Sequence, residues 1–130
     1  MIVPDTNVIV RLIINDDPAQ TSKARLLVER ETLLLLPTVL LETVWVLGSV
    51  YGFGRDRIAE ALKTLFGIRT LQPWDADAAM RAFDWFEAGC DFGDALHLAA
   101  STAASSLVTF DKALAAKAKT LPGTIPVHLL

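Results

Sequence analysis

Four carboxylates stand where a short apolar run gives way to a helical pattern: Asp5 after MIVP, Glu42 within LLETVWVL, Asp94 within DFGDALHLAA and Asp111 within VTFDKAL. A fifth, Asp91, lies three residues before Asp94. If the four junctions face one edge of a sheet, their side chains share a crevice. Two unit charges about 4 Å apart repel by roughly 4 kcal/mol at an effective dielectric near 20, so such a group needs protonation or a cation. Oxygen donors with no cysteine or histidine among them point to a hard ion, Mg²⁺ or Mn²⁺, rather than zinc. A carboxylate-held ion of that kind can activate a water, neutralise phosphate oxygens and stabilise a leaving oxyanion. Ligand type alone does not separate a nuclease from a phosphatase.

The elements that would position these acids follow from pattern. Ile2 to Pro4 reads as a short buried strand, and Val8, Ile9, Leu12 and Ile13 supply helical spacing after it. Asn15 to Pro18 is a turn opening a helix from Pro18 to about Glu31. Leu33 to Leu36, closed by Pro37, is a strand expected to be buried on both faces. Thr38 is the expected N-cap of a helix to Gly48 or Tyr51 that carries Glu42 in its first turns. Helices follow over Asp56 to Phe66 and Asp75 to Glu87, with a weak strand, Ile68 to Leu71, between them. The chain closes with a helix from Asp94 to about Ser105, a strand over Leu107 to Phe110, a short helix over Lys112 to Lys119 and a strand over Ile125 to Leu129.

Strands alternating with helices imply an α/β fold around a mainly parallel sheet, because parallel neighbours need crossover connections. Ligands of such sheets bind beyond the carboxyl ends of the strands. Asp5 and Asp111 fall at that edge directly, and Glu42 and Asp94 reach it from helix starts.

Composition narrows the class. A chain of 130 residues without repeat, linker or low-complexity tract is expected to be one domain, 1–130. Its 52% apolar content and positive mean hydropathy leave apolar surface for a partner, and a homodimer is expected. The net charge of -3 gives no generic capture of nucleic acid; setting the five acids above aside leaves a slight positive excess, so a polyanionic substrate is neither supported nor excluded. The single cysteine, Cys90, suits a reducing compartment. No signal peptide and no membrane span are expected, which places the protein in the cytoplasm.

The segments DTNVIVRLIINDDP, LLETVWVL, DFGDALHLAA and VTFDKAL, in this order over essentially the whole chain, resemble the PIN-domain ribonucleases, specifically the VapC-type toxins of toxin–antitoxin pairs. The resemblance implies a PIN-like three-layer sandwich, a mainly parallel central sheet flanked by helices. It implies that Asp5, Glu42, Asp94 and Asp111 are the catalytic acids and hold Mg²⁺ or Mn²⁺, with Asp91 as an auxiliary member. Asn7 and Thr109 match neighbouring polar positions that would orient the carboxylates or a water. It further implies cleavage of an RNA phosphodiester to a 5′-phosphate and a 3′-hydroxyl, a small cognate antitoxin that binds the helical face, and a homodimer. Pro4 departs from the family pattern, in which an ordinary apolar residue precedes the first aspartate.

Each acid also has a plainer reading. Asp5 and Asp111 are placed to cap the helices that follow them, Glu42 could be a solvated helix residue, and Asp91 with Asp94 has capping-box spacing. His97, one turn beyond Asp94, reads as a packed or hydrogen-bonded histidine rather than a general base, and Trp45 as a core residue. Two rivals stand beside the nuclease. A haloacid-dehalogenase-like phosphatase also begins with an aspartate after its first strand but wants a second aspartate two positions on, where this chain has Asn7. A catalytically silent PIN-fold protein-binding module would not need the acids at all.

Overall fold

The computed structural model describes all residues, Met1–Leu130. In chain order the elements are α1 (Thr6–Ile13), α2 (Pro18–Arg30), β1 (Leu33–Leu35), α3 (Pro37–Ser49), α4 (Arg55–Phe66), β2 (Leu71–Pro73), α5 (Ala76–Glu87), α6 (Phe92–Ala100), β3 (Leu107–Thr109), α7 (Lys112–Ala118) and β4 (Val127–Leu129). Residues Met1–Ala76 and Asp77–Leu130 form two compact units. All strand pairing is parallel, as the alternation of strands and helices predicts.

In the first unit, β1 pairs with β2 in the register Leu33↔Leu71 to Leu35↔Pro73, and Ile2 joins Leu33 as an isolated bridge. The expected strand Ile2 to Pro4 is therefore reduced to one residue. Pro4 has no N–H to give a ladder, and at Asp5 the chain already turns into α1. Leu33 and Leu35 are fully buried, but Leu34 and Leu36 are half-buried, so the run is enclosed on one face rather than two. The expected strand over Ile68 to Leu71 is displaced to Leu71–Pro73. Ile68 spends its N–H on Leu65 and its carbonyl on Leu71 in the turn that closes α4. Helix α1 packs on α2 and α3, and α4 packs on α3 and β2. The core of this unit gathers Ile9, Val10, Leu40, Leu47, Ile58 and Leu62.

Helix α3 begins without the cap expected from Thr38. Leu36 occupies the N-cap position with no side-chain bond, and Pro37 takes the first helical position, where its fixed φ suits a helix and its missing donor is not needed. Thr38 is exposed. Trp45, expected in the core, is 65% exposed. Helix α3 is apolar on most of its circumference, so residue type alone does not select the buried side; Val39, Leu40, Thr43, Val44 and Leu47 do.

In the second unit, β3 pairs with β4 in the register Leu107↔Val127 to Thr109↔Leu129, and α7 packs on both strands. Phe83 of α5 is fully buried and stacks on Phe92 with ring centroids 5.0 Å apart, while Phe86 meets Phe92 edge-on. The Trp85 indole donates to the Pro122 carbonyl at 2.9 Å, tying α5 to the loop before β4. Helix α6 starts at Phe92, two residues before the expected Asp94, and ends at Ala100 instead of Ser105. Its start is set by Asp91, whose carboxylate accepts the Asp94 N–H at 3.1 Å. No helix is long and apolar enough to cross a membrane.

Candidate active site

Asp5 is the N-cap of α1: its backbone is extended and its Oδ1 accepts the Thr6 N–H at 2.8 Å. Thr6 itself is buried, and its hydroxyl reaches across to α3, donating to Glu42 Oε2 at 2.9 Å. Asp5 and Glu42, 37 positions apart in the sequence, are thus joined through one intervening residue. Both carboxylates are exposed. Each commits one oxygen to this linkage and keeps its second, Asp5 Oδ2 and Glu42 Oε1, without a hydrogen bond. Asn7, also exposed, follows on the same helix.

In the second unit Asp111 is the N-cap of α7. Its Oδ1 accepts the N–H groups of Ala113 at 2.8 Å and Leu114 at 3.1 Å, leaving Oδ2 uncommitted. The Thr109 hydroxyl accepts the Asp111 N–H at 2.9 Å and so holds the backbone that aims this carboxylate. Asp91 caps α6, and Asp94 lies in the first turn of that helix, half-buried. Burial pushes the Asp94 carboxyl up from its ordinary pKa, and the charges of Asp91 and Asp111 push it further; His97 acts in the opposite sense. Of the packed or hydrogen-bonded histidine expected, the packed form does not hold: His97 is exposed, and it is its backbone carbonyl that accepts a bond from the Ser101 hydroxyl.

A carboxylate has two oxygens, so capping a helix and binding a ligand are compatible. Asp5, Asp91 and Asp111 all cap helices, as the plainer reading has it, and all retain an oxygen for something else. Within neither unit does a group of three or more His, Cys, Asp or Glu side chains stand close enough together to hold a metal ion by itself. The donors are nevertheless of the kind a hard divalent cation takes. Burial first, and then the negative charges of Asp91 and Asp111, disfavour the ionised form of Asp94.

Thr6 is absent from the set of residues read from the sequence. A contact between α1 and α3 leaves no local trace in the sequence, where Thr6 reads as an ordinary residue beside the Asp5 cap.

The chain belongs to the PIN domain family, whose sequence model matches residues 2–120. Its α/β fold with parallel strands is that of the family, and PIN domains are generally nucleases. Among solved structures, the chain is similar to one described as the crystal structure of VapBC2 from Rickettsia felis bound to a DNA fragment from their promoter. The two are 17% identical with a TM-score of 0.40, over 100% of this chain and 99% of that one. No curated protein sequence matches the chain.

Proposed function

We propose that this protein is a divalent-metal-dependent endoribonuclease and the toxin of a toxin–antitoxin pair, with residues 1–130 acting as one domain. The observation that carries the reading is the state of the acids in a PIN chain. Asp5, Glu42 and Asp111 are each oriented by the fold through one oxygen and present the other. Asp94 is half-buried, and burial, followed by the charges of Asp91 and Asp111, raises its pKa. Asp5, Glu42, Asp94 and Asp111 would hold Mg²⁺ or Mn²⁺, with Asp91 auxiliary. Bound there, the ion supplies Lewis acidity toward a phosphate and lowers the pKa of water. The chain's own part is orientation: Thr6 aims Glu42, and Thr109 aims Asp111. Hydrolysis adds the water oxygen to phosphorus and breaks the bond to the 3′ oxygen, which takes a proton, leaving a 5′-phosphate and a 3′-hydroxyl.

A small antitoxin and a second copy of the chain are the proposed partners. The exposed apolar side chains Leu41 and Trp45, one turn apart on α3, are available to such partners. The test is incubation of total cellular RNA with the protein and Mg²⁺ or Mn²⁺, alongside Asp5→Asn and Asp94→Asn. Cleavage by the parent alone, abolished by chelation, supports the reading. RNA left intact under every metal condition contradicts it.

A further inference from the structure

The far end of α1 is held by a polar cluster outside the acidic site. The Arg11 guanidinium donates through Nη1 to Asp16 Oδ1 at 2.6 Å and to the Tyr51 hydroxyl at 3.3 Å, and through Nε to Gln20 Oε1 at 2.8 Å. The Tyr51 hydroxyl donates to the other oxygen of Asp16 at 2.8 Å. The Thr21 hydroxyl donates to the Arg11 carbonyl at 3.2 Å. Arg11 lies in the last turn of α1, Gln20 and Thr21 lie in α2, and Tyr51 directly follows the C-cap of α3, its N–H bonded to the Val46 carbonyl. One guanidinium therefore gathers three elements.

An exposed ion pair contributes little stability by itself. The planar fork of arginine, fixed by several acceptors at once, instead imposes direction. Helix α1 is eight residues long, about 12 Å at the usual rise. Its near end carries Asp5 and the Thr6 hydroxyl that meets Glu42 on α3; its far end is locked to the end of α3 through Tyr51. A rod fixed at one end pivots, and a rod fixed at both does not.

We propose that Arg11, Asp16 and Tyr51 are positioning residues for the Asp5–Glu42 pair, setting α1 against α3 so that the Thr6 hydroxyl meets Glu42. The role in catalysis rests on the nuclease reading above; the mechanical link does not. Displacing a reacting group by about 1 Å can lower turnover on the order of a hundredfold, so a loosened helix acts on kcat rather than on RNA affinity.

The test is Tyr51→Phe in the full chain, which removes the hydroxyl and keeps the ring and the Arg11–Asp16 pair. Asp16→Asn is a second variant that keeps the tyrosine. In ¹H–¹⁵N spectra the amide resonances of Thr6 and Glu42 should move in both. With RNA and metal, kcat should fall on the order of tenfold at nearly unchanged KM. Combined with Thr6→Val, Tyr51→Phe should add no more than about a twofold loss, because the contact it protects is already gone. Spectral changes confined to Arg11, Asp16, Gln20 and Tyr51 overturn the proposal, as do equal losses in the two backgrounds. A parent protein that cleaves no RNA refutes the nuclease reading instead, while the spectra still decide the mechanical link.

Discussion

Replacing Thr6 by valine isolates the contact that links the start of α1 to Glu42 on α3. Thr6 is 5% exposed, and valine matches its volume and its branching at Cβ, so neither a cavity nor a change of rotamer preference follows. What disappears is the hydroxyl that donates to Glu42 Oε2 at 2.9 Å. Hydrogen bonds to charged groups contribute about 1.5–3 kcal/mol, but Glu42 is exposed and water can replace the lost donor, so the loss should be about 1 kcal/mol. For a chain of this size that lowers Tm by roughly 3–5 °C. On the proposed nuclease reading kcat should fall far more, on the order of tenfold to a hundredfold, because Glu42 loses the donor that orients it. Thermal unfolding by circular dichroism and single-turnover cleavage of a labelled RNA measure the two effects, with Thr6→Ser, which retains the hydroxyl, as the control. Activity within about twofold of the parent for Thr6→Val, or equal losses for Thr6→Val and Thr6→Ser, would refute the reasoning.

Other consequences follow from the same geometry. Because the folded state raises the pKa of Asp94, the stability linked to its protonation is fully present below the ordinary aspartate value of 3.8 and is lost as pH rises through the elevated one; Asp94→Asn should raise Tm of the metal-free protein at pH 7 and leave it unchanged near pH 3, as thermal melts at both pH values would show. Mn²⁺ at about a hundredfold excess over its Kd should stabilise the parent by about 2.7 kcal/mol, read as a rise in Tm, and Asp5→Asn or Asp111→Asn should reduce that rise. Phe83→Ala, which removes a fully buried ring stacked on Phe92, should cost about 3–5 kcal/mol in denaturant unfolding.

The helices were legible because their apolar residues recur at helical spacing; Ile58, Leu62 and Leu65, for example, mark the buried side of α4. The strands were legible as places rather than as lengths. Each is three residues long, too short for a period-two pattern, and the turn after α4 moved β2 by consuming the groups of Ile68. Capping was readable at Asp5, Asp91 and Asp111, since aspartate before an apolar run satisfies free N–H groups wherever it occurs. Thr38 failed as a cap because Pro37 had already started the helix. Trp45 failed as a core residue because an almost wholly apolar helix carries no information about its outer side. Thr6 and the Arg11 clasp escaped notice because their partners, Glu42 and Tyr51, are 36 and 40 positions away, and no local pattern encodes such pairs.

The central claim is that these acids make a metal-dependent ribonuclease, and one measurement meets it directly. A defined single-stranded RNA is incubated with the parent and with Asp5→Asn, Glu42→Gln, Asp94→Asn and Asp111→Asn, with Mn²⁺, with Mg²⁺ and with chelator, and the product ends are identified. The account predicts internal cleavage by the parent only with metal, products bearing 5′-phosphate and 3′-hydroxyl ends, and loss of cleavage in every variant. Intact RNA with both metals, or undiminished cleavage by the four variants, would contradict it.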